Sequence, residues 1–121
     1  MSYPLAGFAI VLILAGIYHF YNPAFYDPFM PEWFPKQLAN AAGGLAEILI
    51  GAALFYGPTR QYAIWAAFAL MVIFLPLHII DLARERPLMG SKMAAVIRLL
   101  IQFVLIWWLW RLGAGAGAGE G

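Results

Sequence analysis

Residues 37–56 read QLANAAGGLAEILIGAALFY, an apolar run with a single acidic side chain near its middle. A run of about 20 apolar residues is long enough to cross the hydrocarbon core of a membrane as a helix. Asn40, Gly44, Glu47 and Gly51 follow at intervals that place them on one helical face. Because the two glycines let another helix approach closely, Glu47 is predicted to point into a helix bundle.

Three further apolar runs lie on either side of this one, at residues 5–21, 61–82 and 93–112. The 121-residue chain is 64% hydrophobic and 11% charged, and its mean hydropathy is +0.82. A soluble domain carries roughly a quarter charged residues. The composition excludes a disordered chain and a basic nucleic-acid binder, and it predicts an all-α fold, a transmembrane four-helix bundle.

The domain organisation predicted from these runs is simple. One membrane domain is expected over residues 1–112, followed at 113–121 by a flexible Gly/Ala tail of the kind that an artificial linker leaves. No positive side chain precedes the first run, so it is interpreted as a retained span and not as a signal peptide. The expected location is a bacterial-type inner membrane, with both termini on the same side.

The breaks between the runs are predicted from proline, glycine and charge. Pro23 stops the first run, and Gly57 and Thr59 are interpreted as the C-cap and N-cap that flank a tight turn. Residues 84–91 form a charged loop at the membrane surface. The proline-rich and aromatic segment 22–36 is either an interfacial lid that lies flat on the bundle or a stiff connector.

The distribution of basic residues predicts the orientation, since cytoplasmic loops are enriched in Lys and Arg. Four basic residues flank the first and third loops and two lie at the opposite surface: Lys36, Arg84, Arg86 and Lys92 against Arg60 and Arg111. The first surface is therefore expected to face the cytoplasm, with both termini outside.

Polar side chains inside the spans are costly, and each needs a reason. Glu47 is interpreted either as a ligand-binding or proton-handling group, or as a structural hydrogen-bond clasp. Arg98 and Gln102 are four residues apart and share one face of the last span. Arg98 either pairs with Glu47, which would offset the cost of burying both charges, or snorkels to the surface.

Two histidines complete the predicted cluster. His19 lies near the end of the first span and His78 near the end of the third. Because adjacent spans are antiparallel, both fall in the half of the membrane that contains Arg98. Secondary site candidates in the same half are Asn22, Asn40 and Asp81. A non-covalent haem or metal held by His19 and His78 is an alternative that the spacing does not demand.

The chain resembles DoxX-like membrane proteins from about residue 8 to residue 110. The residues that carry the resemblance are 16–20 (GIYHF), 22–23 (NP), 30–31 (MP), 34–35 (FP), 44–51 (GLAEILIG), 58–60 (PTR), 74–76 (FLP), Arg98 and Gln102. Two positions depart from the family pattern, because His78 stands where Asn is common and Leu100 where Pro is common.

The resemblance implies a compact bundle of four membrane helices with a polar cluster at His19, Glu47, Arg98 and Gln102. Some DoxX-like proteins are membrane subunits of thiosulfate:quinone oxidoreductase, others are linked to oxidative-stress complexes, and animal relatives assist the assembly of receptor channels. The resemblance therefore implies the fold more firmly than the chemistry.

Two functions stay open at this point. The first is the binding of a lipophilic small molecule, with a quinone as the candidate, by the membrane subunit of a redox complex. The chain has no cysteine, so any electron donor must be a cofactor or a partner protein. The second is a non-enzymatic assembly factor or scaffold for a membrane-protein client. A transporter is a further alternative, and with only four spans per chain it would need a homo-oligomer.

Overall fold

The computed structural model describes residues 2–26, 33, 35–83 and 92–115. The described chain is helical and contains no strand. Its elements in order are α1 (Tyr3–Tyr21), α2 (Pro23–Tyr26), α3 (Lys36–Phe55), α4 (Gly57–Ala83) and α5 (Lys92–Gly113). Four of them, all but the single turn α2, are long and apolar enough to span a membrane, with Gly57–Leu77 as the candidate span within α4. The predicted all-α architecture with four potential membrane helices is confirmed.

Several predicted features lie outside the described residues. They are the charged loop at 84–91 with Arg84 and Arg86, most of the segment between α2 and α3, and residues 116–121 of the Gly/Ala tail.

The ends of α1 follow from local chemistry. The Ser2 hydroxyl accepts a hydrogen bond from the backbone N–H of Leu5 at 3.3 Å and caps the first turn. Pro4 fits in this turn because its missing N–H has no partner in a helix there. The helix ends at Tyr21, directly before the Asn22-Pro23 pair that was predicted to stop it. The helix begins at Tyr3, two residues before the predicted run, and its end agrees with the prediction.

The connection between α3 and α4 differs from the predicted turn. Gly57 does not cap α3 but begins α4, and only Tyr56 separates the two helices. Pro58 is tolerated because it lies in the first turn. The Thr59 hydroxyl caps no N-terminus; it donates to the carbonyl oxygens of Ala53 at 2.8 Å and Tyr56 at 3.1 Å. The prediction was wrong because the threonine stabilises the end of the preceding helix.

The helices associate as two close pairs. α1 packs against α3, α4 packs against α5, and α3 joins the pairs by packing against α4. The apolar core lies toward the end of the bundle where α1 and α4 begin; its fully buried large side chains are Leu5, Leu54, Ile64 and Leu109. Phe8 and Trp108 meet edge to face there, with ring centroids 5.7 Å apart, and connect α1 to α5.

Glycines set the close approach of α1 to α3. A Cβ atom built on Gly44 would lie 2.9 Å from the Gly16 carbonyl oxygen and 2.8 Å from the Cβ of His19. A Cβ on Gly51 would lie 2.9 Å from the carbonyl oxygen of Ala9. Larger residues do not fit without moving the backbone, so the predicted role of the glycine face of α3 in helix contact is confirmed. This contact brings the last turn of α1 onto the polar face of α3.

Candidate functional site

The buried polar cluster begins where the last turn of α1 meets the first turns of α3. The Nδ1 atom of His19 lies 2.9 Å from the Oδ1 atom of Asn40, and both side chains are buried. The Nδ2 atom of Asn40 donates to the carbonyl oxygen of Pro23, at 3.4 Å. The α1–α2 connection, α1 and α3 therefore all position this pair.

The contacts of Asn40 determine the tautomer of His19. The Pro23 carbonyl can only accept a hydrogen bond, so the Asn40 amide must turn its NH₂ toward it and its oxygen toward His19. That oxygen can also only accept, and Nδ1 of His19 therefore carries a hydrogen. The Nε2 atom is left facing the next polar position on this face of α3.

Glu47 occupies that next position. It lies seven residues after Asn40 on the same face of α3 and is only 4% exposed. Its Oε1 atom lies 3.4 Å from Nε2 of His19. Its Oε2 atom is buried and receives no hydrogen bond from any residue that the structure describes.

Gly43 lies beside the imidazole of His19. A Cβ built there would be 3.8 Å from Cε1 and 3.9 Å from Nε2 of His19, which is ordinary van der Waals distance. The residue is half-buried. Next to this edge of the ring, α3 therefore packs at ordinary distance, in contrast to the tight contact at Gly44.

A second polar network lies between α4 and α5. Gln102 is fully buried, and its Nε2 atom donates to the Met71 carbonyl oxygen at 2.8 Å, with the Met71 sulfur at 3.6 Å. Its Oε1 atom accepts from Nη1 of Arg98 at 3.5 Å. Both ends of the amide are thus used within the chain.

Arg98 does not form the direct ion pair with Glu47 that was one of its two predicted roles. It interacts with Glu47 by coulombic attraction, but the ion-pair contact of Glu47 within the described part of the chain is with His19. Arg98 therefore contributes positive charge to the neighbourhood of the acid and a hydrogen bond to Gln102, and the imidazole is the immediate partner of the carboxyl.

The remaining predicted site residues fall in different places. Asn22 is outside the cluster, and its Nδ2 atom donates to the Tyr18 hydroxyl at 3.1 Å on the surface. His78 and Asp81 belong to the backbone of α4, but their side chains lie outside what the structure describes. The alternative of a haem or metal between His19 and His78 therefore stays a prediction. Among the described residues there is no group of three or more His, Cys, Asp or Glu side chains suited to a metal ion.

Two parts of the site were missed at the sequence level. The first is the contact of His19 with Glu47. The signal that could have indicated it is that α1 and α3 are consecutive long helices, which commonly pack side by side. The second is the use of backbone carbonyls, those of Pro23 and Met71, as acceptors for Asn40 and Gln102. A carbonyl is present at every residue, so no side-chain pattern indicates which one is used.

An apolar groove of about 250 Å³ lies on the outer side of α5 and is lined by aliphatic residues of that helix alone, Ile97, Leu100, Ile101, Val104 and Leu105. None of these residues can bind a polar head group. The groove has the character of a lipid-facing helix surface and is not part of the polar cluster.

Comparison with known families covers nearly the whole bundle. Residues 8–113 match the sequence model of a family described as Domain of unknown function (DUF8561). The chain belongs to this family. No curated protein and no solved structure matches the chain significantly. Since the DUF8561 family has no assigned function, the DoxX-like resemblance stays a prediction.

Proposed function

We propose that this DUF8561 protein is a small integral membrane protein that binds a lipophilic molecule at the His19–Glu47 pair, and that it acts as the membrane subunit of a redox complex. A quinone is the candidate ligand. The observation that carries the proposal is the Oε2 atom of Glu47, a buried carboxyl oxygen that accepts no hydrogen bond from the described residues.

The energetic argument starts from the cost of such an atom. Leaving a buried acceptor unsatisfied costs roughly 1–3 kcal/mol, and more when the group is charged. The described chain meets this need elsewhere in the bundle, at both ends of the Gln102 amide. A polar ligand group at Glu47 would meet it here, while the apolar side chains of the bundle would surround the rest of the molecule.

Electrostatics and composition support the same site. Arg98 attracts the Glu47 carboxylate and would also stabilise negative charge that develops on a ligand nearby. The chain contains no cysteine, so in this proposal electrons pass between the ligand and a partner protein. In the proposed arrangement the four long helices cross a bacterial-type inner membrane, with both termini on the outer side.

A ligand-binding measurement tests the proposal. The purified protein in lipid nanodiscs is titrated with a decyl-substituted benzoquinone in its oxidised form and in its reduced, hydroquinone form, whose hydroxyl groups can donate to Oε2 of Glu47. The copurifying organic-soluble molecules are identified by mass spectrometry. Glu47→Met keeps the length of the side chain and removes both oxygens, so it is expected to weaken binding of the hydroquinone form about tenfold or more, equivalent to at least one charged hydrogen bond. Leu49→Ala is the matched control, because Leu49 is on the same helix and 58% exposed.

The second candidate function is an assembly factor or scaffold for a membrane-protein client. The tight glycine contact between α1 and α3 favours it, since that contact by itself locks the two helices together. A folded wild-type protein that neither copurifies with nor binds any lipophilic molecule would contradict the ligand proposal. Full client assembly by folded Glu47→Met would then favour the scaffold.

A further inference from the structure

The hydrogen bonds that lead to Glu47 all run in one direction. The Pro23 carbonyl accepts from Asn40, and the Asn40 oxygen accepts from Nδ1–H of His19. Each group in this relay has its donor and acceptor roles fixed by the one before it. The relay ends at the 3.4 Å contact between Nε2 of His19 and Oε1 of Glu47.

The geometry of the pair indicates what Oε2 of Glu47 can do. Nε2 of His19 faces Oε1 of Glu47, so a proton held between the two residues lies on Nε2 or on Oε1. With the proton there, Oε2 carries no hydrogen and can only accept, and it is a buried oxygen that accepts nothing from the described residues.

We infer that the ligand of this site is a lipophilic hydroxyl compound, such as a long-chain phenol, hydroquinone or alcohol, which donates its O–H to Oε2 of Glu47. The inference rests on the proposed function and adds the chemical class of the ligand. An ether or a bare carbonyl places a lone pair against the lone pairs of Oε2, and that contact is repulsive. For a quinone couple, the hydroquinone form binds more tightly than the oxidised form.

The pair is packed less tightly on its Gly43 side than on its Gly44 side, and a ligand is assigned to the Gly43 side. A Cβ on Gly44 would press against the Gly16 carbonyl oxygen and the side chains of His19 and Phe20, whereas a Cβ on Gly43 would have ordinary van der Waals distances to the His19 ring. Arg98 adds positive charge on the α5 side of the pair but makes no direct ion pair with the carboxyl. The discrimination between donor and acceptor ligands is therefore assigned to Glu47 itself.

The test compares two ligands that differ only in the hydroxyl hydrogen. The full chain in lipid nanodiscs is titrated with para-nonylphenol and with its methyl ether, para-nonylanisole, and the ratio of the two dissociation constants is measured. Because hydrogen bonds to a carboxylate are about twice as strong as neutral ones, the phenol is expected to bind about tenfold or more tighter. Leu49→Ala should keep this ratio.

Two variants at Glu47 test whether the ratio of the two dissociation constants depends on the carboxyl group. Glu47→Met removes the acceptor and should bring the ratio close to one. Glu47→Gln keeps an acceptor oxygen without charge and should give an intermediate ratio; it also serves if the methionine variant does not fold. Equal binding of phenol and ether by the folded wild-type protein would overturn the hydroxyl inference and leave lipophilic binding intact. If neither compound binds, and the decyl benzoquinone binds in neither its oxidised nor its reduced form, the proposed function itself is wrong.

Discussion

The two helix pairs of this bundle bury polar side chains in opposite ways. Between α4 and α5, the amide of Gln102 is satisfied at both ends, by Met71 and by Arg98. Between α1 and α3, the relay of His19 and Asn40 ends at Glu47, where one carboxyl oxygen accepts nothing from the described chain. The α4–α5 interface satisfies its hydrogen bonds within the chain. The α1–α3 interface leaves one acceptor oxygen that a ligand can use.

The difference between the two interfaces indicates which buried polar groups stabilise the fold. A satisfied amide between two membrane helices is worth on average about 0.6 kcal/mol and at most about 1.7 kcal/mol. It needs no further role to be understood. An unsatisfied carboxyl oxygen costs stability instead, so its presence at Glu47 calls for a function. The tight glycine packing of α1 on α3 supplies the stability that the polar cluster does not.

The largest expected effect is on that glycine contact. Gly44→Ala places a methyl group 2.8–2.9 Å from atoms of α1 that include the Gly16 backbone carbonyl. Since the backbone cannot move without separating the helices, the free energy of unfolding should fall by about 1–3 kcal/mol. Unfolding in mixed micelles of increasing SDS content, followed by circular dichroism, measures it.

Two other glycines serve as controls for this change. Gly7→Ala should leave stability unchanged or slightly raise it, because nothing lies within 4 Å of its Cβ position and alanine favours helix. Gly113→Ala meets the ring of Trp65 at 2.6 Å, and a side chain can turn away more easily than a backbone. A loss at Gly113 as large as that at Gly44 would contradict the special role of the α1–α3 contact.

The second effect concerns the closed network. Gln102→Leu has a similar volume and removes the hydrogen bonds to Met71 and Arg98, so it should lower the free energy of unfolding by about 1 kcal/mol. Glu47→Gln should cost less, because an amide keeps a polar contact with His19 and removes the burial of a charge. The same SDS titration compares the two variants with wild type. If Glu47→Gln proves the more destabilising, the α1–α3 cluster is the structural clasp and the comparison is reversed.

The fold was predictable because each of its sequence signals can be recognised independently of the others. The four apolar runs, the break at Pro23 and the glycine face of α3 each follow from residues read in order. The turn at Gly57 was predicted incorrectly, because the Thr59 hydroxyl can cap the end of one helix as readily as the start of the next. Local patterns leave that choice to the geometry of the connection.

The candidate site was predictable in its members and not in its pairings. Sequence reasoning placed His19, Asn40 and Arg98 in one half of the bundle and Glu47 near the middle of its span, and one of its two alternatives for the arginine was a pair with the acid. Which cation meets Glu47 depends on the rotation of each helix about its axis and on the length of each side chain. The glycine contact fixes that rotation for α1 and α3, and it brings the imidazole, not the guanidinium, to the carboxyl.

The smallest expected effect separates these two cations by their energetic coupling to Glu47. In double-mutant cycles, His19→Ala combined with Glu47→Met should show an interaction energy of at least about 0.5 kcal/mol, as for residues in contact. Arg98→Met combined with Glu47→Met should be additive within roughly 0.3–0.5 kcal/mol, because Arg98 acts on the acid only through its electrostatic field. SDS unfolding of the six proteins, with the same baseline for each, provides the values. Stronger coupling through Arg98 would mean that α5 carries the partner of Glu47, and the site would then have to be placed between α3 and α5.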